Sequence, residues 1–293
     1  MNVFVTGAAG YIGSAVCDLL RQRGHTVTGL TRSHEKAETL RARGDQPLIG
    51  EVDDADLIYA ACNRSDAVIH CAMEFNPSAG VIDSTAVRHM IDAMRGSLKP
   101  LVYTSGVWVY GDTRGRTAGE ASALHTPDFI LWRTSVEKMV VSAKEAGISA
   151  VVLRPGMVFG RGGGALAGMF RQARTGNAIR IVGDGENHWS TVHIDDLAEL
   201  YLHVITRPAA GEIFIATGGI PHQVKRIASE VAARCGNGVK VESTPLGLAT
   251  AQMGPIAAGL ALDQKVASTK AARFFGWAVR HPSVIEHIRT AEY

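Results

Sequence analysis

The stretch that decides the fold is NVFVTGAAGYIGSAVCDLLRQRGHTVTGLTR, residues 2–32. A β-type apolar run at 2–6 leads into the glycine-rich turn GAAGYIG at 7–13. Helical periodicity follows the turn, and a second β-type run occupies 25–32. The succession of strand, glycine-rich turn, helix and strand is typical of the start of a dinucleotide-binding fold.

A separate structural requirement explains each glycine of this turn. Gly7 permits the tight turn, Gly10 lets the backbone approach a pyrophosphate, and Gly13 lets the helix pack close to the strand. The free N–H groups and the positive dipole at the helix N-terminus then favour phosphate binding. The turn therefore predicts a bound dinucleotide.

The end of the second strand distinguishes NAD from NADP. An NAD-binding protein usually has Asp or Glu there to bond the ribose hydroxyls, whereas this chain has Leu30, Thr31, Arg32 and Ser33. Arg32 offers a charge-assisted fork to a 2′-phosphate. The alternative is an arginine that is only solvated on an exposed loop. The missing acid favours NADP(H) as the cofactor.

Composition narrows the function classes. The 293 residues are 46% hydrophobic and 20% charged, enough for a large core, and the net charge of +2 is mixed along the chain. This predicts no nucleic-acid surface, and no apolar run reaches the roughly 18 residues needed to span a bilayer. The spacing of the cysteines predicts no metal site and favours free thiols in a reducing compartment. The first strand begins at residue 2, so we expect no signal peptide and a cytoplasmic location.

Strand-like and helix-like segments alternate along the first half of the chain. Further strands are predicted at 48–50, 67–72, 100–105, 150–156 and 213–217, with helices at 82–95 and 129–146. This alternation predicts an α/β fold, a Rossmann-type doubly wound parallel sheet with a smaller, mainly C-terminal substrate-binding region.

The expected division places a nucleotide-binding domain at 1–156, completed by about 192–220. Residues 157–191 and 221–293 would form the substrate-binding region. Within them, GRGGG at 160–164 is predicted as a loop, and the region from about 222 onward as helical, closing over the site. A helix at 193–206 is predicted with Asp195 or Asp196 as its N-cap.

The chain resembles the extended short-chain dehydrogenase/reductase family, in its nucleotide-sugar epimerase/dehydratase-like group. The motifs run in order along nearly the whole chain: TGAAGYIG at 6–13, VDD at 52–54, HCA at 70–72, YTSGVWVYG at 103–111, LRPGMVFG at 153–160, VHIDDLA at 192–198 and FFGW at 274–277. The resemblance implies that Asp53 lies near the adenine, that Cys71 and Ala72 line the cofactor channel, and that Pro155 and Gly156 lie beside the nicotinamide. The full set of candidate cofactor-binding residues is Gly7, Gly10, Tyr11, Ile12, Gly13, Arg32, Val52, Asp53, Cys71, Ala72, Thr104, Arg133, Pro155, Gly156 and Val158.

All three catalytic positions of the family are altered. In the family a Ser or Thr, a Tyr and a Lys form the active site, with Tyr and Lys spaced YxxxK and a Glu often four residues after the Lys. Counting back from Glu137 gives Arg133 and Phe129, so the motif appears here as FxxxR. Ser105 is the first of the two expected hydroxyl positions, and Gly106 stands where the second belongs.

These replacements change the chemistry that the site can perform. Phe129 cannot transfer a proton, a function worth about 10²–10⁴ in rate. Arg133 can hold the nicotinamide ribose and stabilise negative charge, but its pKa is too high for a base. The candidate catalytic residues are Ser105, Arg133 and Tyr103. The alternative for Arg133 is a simple ion pair with Glu137 on an exposed helix face.

Two further replacements bear on the substrate. Sugar-nucleotide members often have an Asn and an Arg that contact the diphosphate, and the corresponding positions here hold Met157 and Trp189. Apolar groups at both positions favour a small, largely apolar ligand, although each apolar candidate is by itself typical of a core residue. The candidate substrate-binding residues are Met73, Phe75, Trp108, Phe129, Met157, Met169 and Trp189.

The first functional hypothesis is an atypical NADPH-dependent reductase, an oxidoreductase acting on a carbonyl, imine or activated alkene. A second hypothesis keeps bound NADP(H) but performs an isomerisation, cyclisation or elimination. A third is a catalytically silent NADP-binding sensor. The expected partner is a small-molecule substrate, with no nucleic acid, membrane or metal, and a homodimer remains open.

Overall fold

The computed structural model describes residues 1–74, 76–176, 178–207, 209–236 and 238–290. Its strands are β1 Asn2–Thr6, β2 Thr26–Thr31, β3 Gln46–Ile49, β4 Ala67–His70, β5 Pro100–Thr104, β6 Thr117–Ala118, β7 Ser149–Pro155, β8 Met157–Phe159, β9 Ala178–Val182, β10 His188–His193, β11 Glu212–Ala216, β12 Gly218–Gln223, β13 Lys240–Thr244 and β14 Lys265–Val266. Its α-helices are α1 Tyr11–Gln22, α2 His34–Ala42, α3 Ala55–Arg64, α4 Ala79–Met94, α5 Trp132–Ser142, α6 Gly164–Gly176, α7 Ile194–Thr206, α8 Val224–Cys235, α9 Leu246–Met253, α10 Ile256–Ala261, α11 Lys270–Phe275 and α12 Val284–Thr290. Short 3₁₀ helices cover Val107–Tyr110, Asp128–Ile130 and Ala143–Ala146.

The central layer is a seven-stranded sheet with the strand order β11-β7-β5-β4-β1-β2-β3, and every pairing in it is parallel. All residues of β4 and β7 are buried, as expected for strands covered on both faces. One face packs on α1 and α7, the other on α4 and α5. The predicted doubly wound parallel sheet is confirmed.

Strand β11 lies at one edge of this sheet, so a segment late in the chain completes the sheet. Smaller sheets, β12-β10-β8 and β13-β9, form beside it. A third apolar core between α6, α8 and α12 holds this second region together. The prediction that the chain from about 222 onward is helical is wrong for β13 and β14, because each pairs with a strand far away in the sequence.

The N-cap predicted for α7 is also wrong. His193 is the capping residue, and its Nδ1 accepts a hydrogen bond from the Asp195 backbone N–H at 3.2 Å. Asp195 pairs instead with Arg161 at 2.6 Å. Asp196 accepts the backbone N–H groups of two residues that precede α12. Both carboxylates therefore hold distant segments against the start of α7.

None of the helices in the described ranges combines the length and the apolar character needed to cross a membrane. The same residues contain no cluster of three or more His, Cys, Asp or Glu side chains arranged to hold a metal ion. All four cysteines are free thiols.

Candidate functional site

A cleft lies at the carboxyl ends of β1, β2 and β4, where the strand order reverses, the usual ligand site of such sheets. Gly7 and Gly10 form its floor. Gly7 has φ +67°, and a Cβ there would lie 2.7 Å from the Ala72 backbone nitrogen. A Cβ on Gly13 would lie 2.1 Å from the Gly7 carbonyl oxygen. The turn is thus built from contacts that only glycine permits, which fits a dinucleotide pyrophosphate.

Several predicted cofactor contacts line this part of the cleft: Gly7, Gly10, Arg32, Val52, Cys71 and Ala72, together with Met73. Asp53 and Ile12 are not among the described residues that line it. Pro155 ends β7, Gly156 lies between β7 and β8, and Val158 lies in β8. These nicotinamide-side candidates are outside this part of the cleft. Their proposed cofactor contacts remain predictions.

The far end of the cleft is charged. Arg32, at the end of β2, forms an ion pair with Glu74 and lies 3.9 Å from Glu51. Lys36 lines the same end from the first turn of α2. Ser33 caps that helix by accepting the Lys36 backbone N–H at 3.3 Å. The sequence indicated Arg32, but it did not identify Lys36, Glu51 and Glu74 as its neighbours.

Tyr11 does not face the cleft with its hydroxyl. The hydroxyl donates to the Gly160 carbonyl at 2.8 Å, and a Cβ on Gly163 would lie 2.1 Å from the Tyr11 ring. Residues 160–163 are the loop that the sequence predicts, and α6 begins at Gly164. Close packing on His193 explains Gly160, and close packing on Tyr11 explains Gly163.

Thr104, at the end of β5, connects several candidate residues. Its hydroxyl lies 2.6 Å from the Tyr201 hydroxyl and 3.4 Å from Cys71 Sγ. Burial raises the pKa of Cys71 to about 11, although hydrogen bonds with Thr104 and Tyr201 act in the opposite direction. Burial likewise raises the pKa of Tyr201 well above its usual value. Both groups are neutral at physiological pH, so they contribute polarity without charge.

Arg133 points at the same strand end. Its side chain is buried, and its Nη1 donates to the Thr104 carbonyl at 2.9 Å. Within the part of the chain that the structure describes, no carboxylate lies within 4.0 Å of its guanidinium. Glu137 pairs instead with Arg154 of β7, through Nε at 3.0 Å and Nη2 at 2.5 Å. The alternative of an exposed Arg133–Glu137 pair is wrong.

Tyr103, one of the candidate catalytic residues, lies in the protein interior. Only 1% of it is exposed, and its hydroxyl donates to Asp83 at 2.6 Å. Burial also raises the pKa of Tyr103 well above its usual value. The same carboxylate accepts Trp132 Nε1 at 3.1 Å and faces His70 Nε2 at 3.0 Å. Tyr103 thus belongs to a buried polar network that fixes α4 and α5 against β5.

The Asp83 carboxyl is ionised within this network. Burial alone would raise its pKa, but the hydrogen bond with His70 and the His70 charge, with Arg133 and Tyr103, outweigh burial and lower it. Sequence reasoning missed this residue. The HCA motif includes His70, but no local spacing connects it with a carboxylate on α4.

Ser105 and Gly106 directly follow β5. Ser105 is 8% exposed, and its Oγ has no hydrogen-bond partner among the described residues. A buried hydroxyl without a partner is unusual, so Ser105 stays a candidate for contact with a ligand. A Cβ on Gly106 would meet nothing closer than 3.8 Å, the Pro155 carbonyl oxygen. The Gly106 position therefore has room for a Cβ in ordinary van der Waals contact.

The 3₁₀ helix that follows Gly106 contributes one member of an aromatic pair. Trp108 and Phe129 meet edge to face with ring centroids 5.9 Å apart. Met157 is partly exposed on β8. Met169 and Trp189 are members of the third core, 5% and 6% exposed, and their place on a substrate pocket wall stays a prediction. Trp189 Nε1 donates to the Leu260 carbonyl at 3.0 Å, which ties α10 to β10. Phe75 lies outside the described residues.

A group of histidines lies behind the loop at 160–163. The His193 ring stacks on His281 with centroids 4.0 Å apart and meets His287 at 5.0 Å. Burial, reinforced by His281, lowers the pKa of His193 to about 4. The titratable groups that face it are His281, His287, Asp195 and Asp196. His193 is therefore a neutral side chain that caps α7 and packs against the other two histidines.

Comparison with known proteins agrees with this geometry. Residues 3–216 match the model of the NAD dependent epimerase/dehydratase family. An uncharacterized protein of Schizosaccharomyces pombe is 31% identical over 301 residues, covering 100% of both chains. The 4-hydroxy-2-methyl-3-oxo-4-farnesyl-3,4-dihydroquinoline-1-oxide ketoreductase of Stigmatella aurantiaca is 26% identical, over 86% of this chain and 78% of its own. The structure of the Thermus thermophilus UDP-glucose 4-epimerase in complex with NAD superposes with a TM-score of 0.80 at 21% identity, covering 100% of each chain.

Proposed function

Because the chain belongs to the NAD dependent epimerase/dehydratase family, as its motifs predict, we propose that it is an NADPH-dependent reductase of a ketone in a small, largely apolar compound. The observation that carries the proposal is that Arg133 is buried without a carboxylate partner among the described residues. A buried guanidinium has a high desolvation cost unless a negative group pairs with it. Arg133 has only the Thr104 carbonyl as a hydrogen-bond partner among the described residues, so it is available to a ligand.

The charged end of the cleft supports NADPH rather than NADH. Arg32 and Lys36 both line it, and a planar guanidinium matches a phosphate through two parallel hydrogen bonds. No acid follows β2 directly, where an NAD-binding site would hold the ribose hydroxyls. When bound, NADPH supplies a hydride to the carbonyl carbon.

Residues of this chain complete the reduction by stabilising charge. Arg133 hydrogen-bonds the carbonyl oxygen and stabilises the negative charge that develops there. The unpartnered Ser105 hydroxyl provides a second donor to the same oxygen. Since Phe129 has no exchangeable proton and Tyr103 and Tyr201 are fully enclosed, water supplies the proton to the alkoxide.

The surroundings of Arg133 support an apolar ketone. The Trp108–Phe129 pair and Met157 present apolar surface, and Gly106 leaves room beside the strand end. Trp189 replaces a diphosphate-binding cation with a core side chain. The similar Stigmatella ketoreductase is named for a substrate with a 3-oxo group and a farnesyl chain, which supports the same substrate class.

The test is NADPH oxidation with a panel of alkyl ketones and 3-oxo esters of increasing chain length, alongside UDP-glucose. We expect turnover with the ketones and none with the nucleotide sugar. Arg133→Ala should lower kcat by about 10²–10³, the usual cost of removing a donor to a developing oxyanion. Arg133→Lys should recover part of the rate, since a point charge does not replace a planar fork. The matched control Arg95→Ala changes an exposed arginine that follows α4.

Two results would contradict the proposal. Equal turnover in wild type and Arg133→Ala would remove Arg133 from the reaction. Tight NADPH binding without turnover of any ketone would favour the silent sensor instead.

A further inference from the structure

The Arg32–Glu74 ion pair bridges the cofactor cleft. Arg32 follows β2, and Glu74 lies in the segment after β4. Strand β1 lies between these two strands in the sheet, and its end carries the glycine turn that forms the cleft floor. Neighbouring strands are about 4.8 Å apart, so the pair spans roughly two strand spacings above that turn. The ion pair thus lies in the cleft where the dinucleotide is proposed to bind.

Glu74 is held in place from a second side. Asn76 Nδ2 donates to Glu74 Oε2 at 2.6 Å, which leaves Oε1 for the Arg32 guanidinium. Glu51 adds a weaker contact to Arg32 at 3.9 Å. The side chains of Arg32 and Glu74 remain 59% and 34% exposed, so solvent reaches the pair and the pair can open.

From this geometry we propose that Glu74 determines cofactor specificity by occupying Arg32 until a 2′-phosphate replaces it. The proposal rests on NADPH being the cofactor, as proposed above. A carboxylate and a phosphate both accept two parallel hydrogen bonds from one guanidinium, so they compete for the same group. Lys36 lines the same end and adds a second cation for the phosphate.

The two nicotinamide cofactors respond differently to this competition. NADPH has a 2′-phosphate that displaces Glu74 from Arg32, so part of its binding free energy is used to break the ion pair. NADH has only a hydroxyl there and leaves the ion pair intact. Removing the Glu74 charge therefore benefits NADPH and has little effect on NADH.

The experiment is calorimetric titration of the full-length protein with NADPH and with NADH. Wild type is compared with Glu74→Gln, Arg32→Ala and the double variant. Glu38→Gln is the matched control, because Glu38 pairs with Arg41 on α2 and does not line the cleft. We expect Glu74→Gln to tighten NADPH binding about two- to fivefold, the upper part of the range of an exposed ion pair, and to change NADH binding less than about 1.5-fold.

The double variant separates the mechanism from simple repulsion. With Arg32→Ala already present, Glu74→Gln should no longer tighten NADPH binding. Persistence of the full effect in that background would overturn the proposal, as would unchanged or weaker NADPH binding in Glu74→Gln alone. Equal affinity of wild type for NADPH and NADH, or no loss of NADPH affinity in Arg32→Ala, would instead refute the choice of NADPH itself.

Discussion

Neutralising Glu137 tests how the helix that carries Arg133 is anchored. Glu137 and Arg154 form an ion pair in which each side chain is only 3% exposed. Arg154 also donates to the Tyr110 hydroxyl at 2.7 Å, and its guanidinium lies 4.9 Å from the centre of that ring. Glu137→Gln keeps the shape of the side chain but leaves the Arg154 charge without a counter-ion in the interior.

The expected cost follows from that burial. Removing one partner of a buried ion pair costs about 3–5 kcal/mol, because the remaining charge stays desolvated. Gln retains one acceptor oxygen, so we expect the lower end, about 3 kcal/mol of unfolding free energy. At about 2–4 °C per kcal/mol this corresponds to a fall in Tm of roughly 6–12 °C.

Urea unfolding followed by circular dichroism measures the loss. The control is Glu145→Gln, which changes an exposed glutamate in the 3₁₀ turn following α5 and should stay within about 0.5 kcal/mol of wild type. A loss below about 1 kcal/mol in Glu137→Gln would refute the reasoning. The pair would then contribute no more than an exposed one.

Two further predictions concern the glycine turn and the histidine group. Gly13→Ala places a Cβ 2.1 Å from the Gly7 carbonyl oxygen, so α1 has to move. NADPH affinity should fall at least about tenfold by calorimetry, while Gly168→Ala, which meets nothing within 4 Å, should leave it unchanged; equal affinities would contradict the predicted role of the turn. His193 has its pKa lowered from 6.5 to about 4, so the unfolded chain takes up a proton first and stability falls as pH drops through that interval. The loss of unfolding free energy should reach at most about 3 kcal/mol, at about 1.4 kcal/mol per pKa unit. Urea titrations at several pH values measure it, and His193→Asn, which keeps an N-capping side chain, should show a smaller loss. An equal loss in His193→Asn would assign the pH dependence to other groups.

The sequence by itself was sufficient for the parallel sheet and the nucleotide-binding turn. Both follow from local patterns, since strand and helix periods and glycine positions act over a few neighbouring residues. The replacement of YxxxK by FxxxR is also a local spacing, so the loss of the acid at Phe129 and the cation at Arg133 was readable without coordinates.

The tertiary structure decided which groups these side chains meet. Helical spacing allowed Arg133 to pair with Glu137. In the structure, Glu137 pairs with Arg154 of β7, and Arg133 donates a hydrogen bond to the carbonyl at the end of β5. Arg32 was identified from the sequence, whereas its partner Glu74 comes from a segment 42 residues further along, brought close by strands β2 and β4. Local patterns determine which face a side chain occupies, and the choice among distant partners depends on how the elements pack.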